Sequence, residues 1–180
     1  SLRPTEGRHA LGMEGTEHRE EEVEPAPRLA EIEGSLTGEG GDALVSDLAR
    51  PHIETRLTDE GLVIEIFSRP GAPLFDPATE MPAPWLAELA VVMADIFGTV
   101  TNRIAVEAHI AAEHVVRSGA GGWQRTTERA QIMRALLEAG GLNPQRIVRV
   151  TGHSDREART EPLTAPRNDR IEIILLRSSF

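Results

Sequence analysis

Hydrophobic and polar positions follow two periods in the second two-thirds of the chain, and these periods predict both helices and strands. Apolar residues recur at i, i+3, i+4 and i+7 from Trp85 to near Gly98, which predicts an amphipathic helix, and similar spacing predicts a second helix over residues 123–139. Alternating positions predict strands in HIETRL, LVIEIF, RIAVEAH, RIVRV and RIEIILL. The order β-β-α-β-α-β-β favours an α+β fold, a mixed β-sheet with helices on one face.

Turn and cap residues place the boundaries of these elements. The segment 58–61, Thr-Asp-Glu-Gly, separates the first two strands and is typical of a hairpin loop. Thr126 or Thr127 is the predicted N-cap of the second helix, and the glycine pair at 140–141 is its predicted end. Arg129 is then expected in or near the first turn. A cation there is favourable when an anion binds beside the free backbone amides, so Arg129 indicates a binding site.

The first 50 residues have a different composition. Residues 1–27 are rich in glutamate and proline and predict a disordered or extended acidic linker. Residues 28–50 carry a weak helical pattern broken by glycines, which predicts a linker segment of two short helices that need a partner surface. The folded domain is expected over residues 51–180.

Composition excludes several classes of function. The chain has 180 residues and no cysteine, so it offers neither disulfides nor thiolate metal sites. Its formal net charge is −10, with 29 acidic and 19 basic residues, which argues against nucleic acid as a partner. No apolar run approaches the roughly 20 residues that span a bilayer. The opening residues lack the layout of a signal peptide, so we expect a cytosolic protein or a soluble piece of a longer one.

Five segments occur in the order and spacing of one known family. They are GLVIEIF with a Pro/Gly loop and LFDPATEM, VEAH, WQRTTERA, GLNPQRIVRVTGHSD, and RNDRIEIILL. Together they resemble the OmpA-like peptidoglycan-binding domain in the form found in MotB, the stator protein of the bacterial flagellar motor. The resemblance covers residues 52–177. It implies an OmpA-like two-layer sandwich, preceded by a linker and short helices.

The resemblance also implies a location and partners. A MotB-type domain is periplasmic and homodimeric, and a linker tethers it to an inner-membrane helix that this chain lacks. Through that helix the full-length protein meets a MotA-type channel subunit. The implied function is non-covalent anchoring to peptidoglycan, without catalysis and without a cofactor.

The implied ligand is the diaminopimelate-containing stem peptide, whose exposed end carries a carboxylate beside an ammonium. In OmpA-like domains an arginine on the helix binds the carboxylate, and an aspartate after the preceding strand accepts from the ammonium. Arg129 matches that arginine. The family motifs also assign Thr126, His109, Asn168 and Arg170 to the peptidoglycan-binding site.

The chain departs from the family at the acid. Ala111 stands where the family has aspartate, and an unmatched buried charge costs roughly 2–5 kcal/mol. Glu107, Glu113 and Asp155 are the candidate substitutes. Two functions therefore stay open: an anchoring domain that binds stem peptide, and a structural dimerisation and regulatory stator domain with a degenerate wall site.

A third hypothesis is an enzyme. His109, Glu113, His114, His153 and Asp155 suit a metal site, and a metal-dependent hydrolase acting on wall material would use His109, Glu113 and His153. The chain has no HExxH motif, and zinc ligation needs well-defined geometry. We therefore expect no metal and no catalysis.

Overall fold

The computed structural model describes residues 26–38, 44–113 and 121–177. The predicted acidic linker, residues 1–27, lies outside these ranges except for its last two residues. The three predicted segment boundaries stay a prediction.

Three helices and five strands make up the described fold. The helices are α1 (Ala26–Thr37), α2 (Pro84–Phe97) and α3 (Gly122–Ala139). The strands are β1 (Ile53–Leu57), β2 (Gly61–Phe67), β3 (Ile104–His109), β4 (Ile147–Gly152) and β5 (Arg170–Leu176). Short 3₁₀ turns lie at Arg50–His52, Pro144–Arg146 and Pro166–Asn168. None of the described helices combines the length and the apolar composition that a membrane-crossing segment needs.

The strands form one mixed sheet in the order β1-β2-β5-β3-β4. Strands β3 and β4 are parallel because α3 carries the chain back between them, and the other neighbouring pairs are antiparallel. Helices α2 and α3 pack against each other, and their apolar side chains join those of one sheet face in a single hydrophobic core. The α+β class and the predicted element order are confirmed.

The helix-covered face of the sheet, here called the inner face, is apolar. Ile171, Ile173 and Leu175 of β5 are fully buried there, as the alternation predicts, together with Ile64 and Val106 of the neighbouring strands. Burial of each such side chain stabilises the fold by about 1.5–3 kcal/mol relative to exposure. Hydrophobic contact with α2 and α3 therefore stabilises the packing of the inner face.

The opposite or outer face carries a row of glutamates. Glu54, Glu65, Glu172 and Glu107 lie side by side on β1, β2, β5 and β3, because the strand registers pair each with the next. Glu65 and Glu172 are buried. Arginines pair with the row: Arg56, Arg159 and Arg167 contact Glu65, Arg170 contacts Glu172, and Arg149 contacts Glu107.

Helix α3 begins earlier than predicted. Gly121 is its N-cap, and Arg129 lies about two turns inside the helix, so the predicted cap at Thr126 or Thr127 and the first-turn position of Arg129 were wrong. A side chain at Gly122 would meet Ser154 Oγ at 2.2 Å. Glycine therefore lets the helix start against the turn after β4, a contact between distant residues that cap rules do not include.

The segment before the sheet also differs from the prediction. Helix α1 corresponds to the first of the two predicted short helices. Its apolar side is buried in the main core through Leu29, Ile32 and Leu36. The second predicted helix is not formed within residues 44–49, where Leu44 and Leu48 are exposed. Their side chains have no covering surface among the described residues, and a short helix is unstable without one.

Candidate functional site

A groove opens between the loop at residues 73–77, the residues 110–113 that follow β3, and the first half of α3. Its volume is about 490 Å³. Arg125 and Arg129 of α3 line it, together with Asp169, which immediately precedes β5. Ala111 lines it as well, so the position where the family carries its aspartate does face this groove.

The guanidinium of Arg129 is held on three sides. Its Nε donates to Glu80 Oε2 at 2.8 Å, and its Nη1 donates to Asp169 Oδ1 at 2.8 Å. Its Cζ lies 4.8 Å from the centre of the Phe75 ring, a cation–π distance. Only 5% of the side chain is exposed. Arg129 thus borders the groove with its charge already matched by two carboxylates.

Arg125 is the second cation of the groove and shares a partner with Arg129. Its Nη2 donates to Glu80 Oε1 at 3.0 Å, and its Nη1 donates to Glu113. Burial would raise the pKa of the Glu80 carboxyl. The hydrogen bond from Arg129 and the charges of both arginines outweigh burial, so the pKa is lowered overall. Burial would lower the pKa of Arg125, and Glu113 and Glu80 raise it overall. Glu80 is therefore an anionic bridge between two cations.

A tight turn presents Glu80. Asp76 Oδ1 accepts from the backbone amides of Ala78 and Thr79, and these bonds lower the pKa of the Asp76 carboxyl. The amide of Glu80 donates to the Asp76 carbonyl at 2.8 Å. Glu80 itself has a φ of 59°, in the left-handed region that non-glycine residues adopt at a cost of about 1–3 kcal/mol. The turn holds this conformation, and the conformation directs the carboxylate to α3.

The groove therefore combines both signs of charge. The guanidinium groups of Arg125 and Arg129 pair with two carboxylates that line the groove, those of Glu113 and Asp169, and with a third beside it, that of Glu80. Such a site suits a ligand that itself carries a carboxylate and an ammonium, because each ligand charge finds an opposite charge. It is less suited to a simple anion, because carboxylates already neutralise both cations.

The structure brings only some of the predicted site residues to this groove. Arg129 and the candidate substitute acid Glu113 border it. Sequence reasoning missed Glu80, Arg125 and Asp169. Asp169 lies in the segment RNDR, at a position where the resembled family has an arginine. That difference from the family was the signal that could have identified Asp169 as a site residue. No spacing rule connects Glu80 with α3, which lies more than 40 residues later.

Three other predicted binding residues make internal contacts. Thr126 is fully buried, and its hydroxyl donates to the Gly122 carbonyl and accepts from the Ser154 amide. Asn168 Oδ1 accepts from two backbone amides, while its amide group donates to three carbonyls. Arg170 donates to the Glu157 carbonyl at 2.9 Å. These bonds order the segment between β4 and β5; a role of the three residues in binding stays a prediction.

The remaining predicted residues lie elsewhere. His109 is buried on the outer face of the sheet, with its ring stacked on that of His153 at 4.5 Å. Glu107 contacts Arg149 and His153 on that same face. The side chain of Asp155 is 45% exposed, near Arg156. Of the three candidate substitute acids, Glu113 is thus the one that borders the groove.

The residues of the hydrolase hypothesis are not assembled as predicted. His109 and His153 do meet, but the acid beside them is Glu107. Glu113 instead borders the groove, where it accepts a hydrogen bond from Arg125. His114 lies outside the described residues.

Comparison with known proteins gives relatives by sequence and by fold. No family model matches the chain. Motility protein B of Escherichia coli K12 is 29% identical over 106 residues, which cover 57% of this chain and 34% of that protein. The chain thus spans about a third of the length of this curated relative.

Solved structures share the fold at lower identity. The cell wall anchor of the type VI secretion system from Pseudomonas aeruginosa superimposes with a TM-score of 0.62 at 22% identity, over 85% of this chain and 99% of that one. The periplasmic domain of Helicobacter pylori MotB superimposes with a TM-score of 0.56 at 16% identity, over 74% of this chain and 86% of that one. Sequence similarity and shared fold bear out the resemblance that the motifs predict: the chain is similar to motility protein B in sequence and has the fold of a MotB periplasmic domain.

Proposed function

We propose that this is the periplasmic anchoring domain of a MotB-type flagellar motor stator, and that its groove binds the peptidoglycan stem peptide without catalysis. The observation that carries the proposal is the pair of groove-lining arginines, Arg125 and Arg129, together with the carboxylates of Glu113 and Asp169 in the groove and of Glu80 beside it. Relatives named as a motility protein and as a cell wall anchor support the anchoring role. A relative described as a periplasmic domain supports the location.

Binding uses exchange of ion pairs. The carboxylate at the end of diaminopimelate pairs with Arg125 and Arg129, and in doing so it displaces the carboxylate of Glu80 from the two guanidinium groups. The neighbouring ammonium then lies among Glu80, Glu113 and Asp169. These charge-assisted hydrogen bonds are stronger than neutral ones, but each replaces an existing pair, so the net affinity is modest.

The proposal includes the assembly of the full-length protein. A linker tethers the domain to the inner membrane, two copies form a homodimer, and the membrane helix meets a MotA-type channel subunit. These features are carried over from the resemblance to the MotB family.

A second function is favoured by one observation. Arg129 is almost fully buried with two carboxylates of its own fold, and Ala111 lacks the acid of the family site. If no ligand displaces these internal pairs, the domain is a structural dimerisation and regulatory module whose wall site is degenerate.

A sedimentation assay separates the two functions. Purified domain is mixed with peptidoglycan sacculi, and bound protein is measured for the wild type, Arg129→Ala and Arg134→Ala. Arg134 is the matched control, because it lies on the same helix but pairs locally with Gln131 and Glu138. Anchoring predicts that the wild type and Arg134→Ala sediment with sacculi and Arg129→Ala does not. Equal, poor sedimentation of all three would leave only the structural role.

Restoring the family acid gives a complementary test. Ala111→Asp places a carboxylate at the groove opposite the retained arginines, so we expect tighter binding of a diaminopimelate-containing tripeptide by calorimetry, by about tenfold or 1.4 kcal/mol. Ala111→Asn controls for size without the charge. An unchanged affinity would contradict the proposed orientation of the ammonium.

A further inference from the structure

Three side chains with metal-ligating atoms meet on the outer face of the sheet, and none of them lines the groove. Glu107 and His109 are two residues apart on β3, so they point to one face. His153 directly follows β4, whose Gly152 pairs with Ala108. One potential ligand atom from each of the three side chains lies within 4.8 Å of the others.

His109 is a buried imidazole without hydrogen bonds to the part of the chain that the structure describes. It is 1% exposed, and within residues 26–38, 44–113 and 121–177 neither ring nitrogen has a partner with hydrogen-bond geometry. The contact of its Nε2 with Glu172 Oε2, at 3.3 Å, is an ion-pair distance. Buried polar groups are nearly always satisfied, and each exception in a fold requires an explanation. A bound cation would satisfy the acceptor nitrogen of this ring.

The two neighbouring carboxylates direct one oxygen each toward the histidines. Glu107 Oε1 accepts from Arg149, while its Oε2 lies 3.1 Å from His153 Nε2. Glu172 Oε1 accepts from Arg170, while its Oε2 faces His109. The arginines therefore neutralise the Oε1 atoms of the two glutamates. The Oε2 atoms of the same glutamates make the environment of the two imidazoles negative.

We propose that Glu107, His109 and His153 form a binding site for a divalent transition-metal ion of the zinc class. Two imidazoles and a carboxylate are ligands that zinc accepts, whereas calcium and magnesium prefer oxygen ligands alone. Glu172 supplies a further carboxylate beside His109, either as the partner that orients this ring or as a fourth ligand.

Binding requires one ring to turn. The imidazoles of His109 and His153 are stacked within 6° of parallel, so one ion cannot lie in both ring planes at the usual ligand distance of about 2.1 Å. The side chain of His153 is 22% exposed, whereas His109 is buried. His153 is therefore the ring that rotates so that the ion can bind. The ion would then join the ends of β3 and β4, next to the residues 110–113 that border the groove.

The test uses the whole chain, freed of metal by chelation and titrated with Zn²⁺ in a calorimeter. We expect one Zn²⁺ per chain, and at least about tenfold weaker binding in His153→Gln and in His109→Gln. Circular dichroism checks their folding; because His153 is partly exposed, His153→Gln carries the test if His109→Gln does not fold. The double variant His9→Gln/His18→Gln removes two histidines outside the cluster and is expected to bind as the wild type does.

Cobalt gives a second readout that does not depend on heat. Co²⁺ bound by nitrogen and oxygen ligands of low coordination number absorbs strongly in the visible range, and this spectrum should appear in the wild type and disappear in His153→Gln. Equal Zn²⁺ affinity of the wild type and His153→Gln would overturn the site. So would loss of binding in the His9→Gln/His18→Gln variant alone, because that result would place the metal in the N-terminal segment.

Discussion

The two faces of β5 are both buried, but different interactions hold them. Ile171, Ile173 and Leu175 pack under α2 and α3, whereas on the outer face Arg170 and Glu172 form an ion pair beside a small apolar cluster that contains Ile174. Apolar contact on the inner face stabilises the fold directly. On the outer face, the cost of removing charges from water offsets most of the attraction between them. Burial alone therefore does not measure how much a residue stabilises this domain.

The outer face is also less tolerant of partial change. Glu172 has Arg170 and Arg56 on one oxygen and His109 near the other. Loss of one member leaves a charge without its partner inside the protein, whereas loss of a methyl group on the inner face leaves a small cavity. Substitutions at neighbouring positions of β5 therefore separate the two kinds of stabilisation.

The largest effect is expected from breaking the buried pair on β5. Arg170→Met should reduce the free energy of unfolding by about 3–5 kcal/mol, because Glu172 then keeps a buried charge without its nearest guanidinium. Urea unfolding measures the change. Arg170→Met/Glu172→Leu removes both charges and is expected to recover at least about half of the loss. A double variant as unstable as the single one would mean that the pair itself stabilises the fold.

The second-largest effect is expected from acid, which should lower the free energy of unfolding through Glu172 on the outer face. Burial would raise the pKa of the Glu172 carboxyl, but the contact with His109 and the charge of Arg170 outweigh burial and lower that pKa below its ordinary 4.5. The stability that this group contributes is thus present above pH 4.5 and lost as the pH falls toward the lower folded-state pKa. Urea midpoints between about pH 6 and about pH 3 should fall less steeply in Glu172→Gln than in the wild type. Parallel slopes would exclude Glu172 as a source of acid sensitivity.

A smaller loss is expected on the inner face. Ile173→Val removes one methylene-sized group from a fully buried site between the sheet and the helices, and it should cost about 0.5–1.5 kcal/mol in urea unfolding. It should also keep the acid sensitivity of the wild type, because it leaves every charge in place. A cost as large as that of Arg170→Met would remove the proposed difference between the faces.

The smallest effect is expected at Arg149, the most exposed of the arginines that pair with the glutamate row. Arg149 pairs with Glu60 and Glu107, and its side chain is 42% exposed. Water reaches Glu60 when the pair is lost, and Glu107 keeps its contact with His153, so Arg149→Gln should change the free energy of unfolding by about 0–1 kcal/mol. Thermal unfolding at low and high salt measures it, and a salt-independent loss of several kcal/mol would contradict the exposed-pair interpretation.

Local periodicity predicted the fold well because each strand and helix repeats its own signal. The alternation of β5 correctly placed Ile171, Ile173 and Leu175 inward, and the hairpin loop at 58–61 joined the predicted strands. The start of α3 was misplaced because it depends on the close approach of Gly122 to Ser154, a contact that no local rule contains.

The candidate site was predictable only in part. Family motifs identified Arg129, and Ala111 drew attention to a missing acid. The structure brings Glu80, 49 residues before Arg129, and Asp169, 40 residues after it, to the same guanidinium, and neither was predicted. Likewise Glu113 was one of three candidate acids until the loop after β3 placed it against Arg125.

The sequence by itself determined the order of elements, the side of each strand that faces the helices, and the absence of any thiolate chemistry, because these depend on residue type and short-range period. Tertiary structure decided which charges meet. Strand register aligned four glutamates into one row, and a turn with a left-handed residue carried Glu80 across to α3. Coulombic partners are chosen by distance in space, and distance in space is fixed only when the sheet and helices have packed.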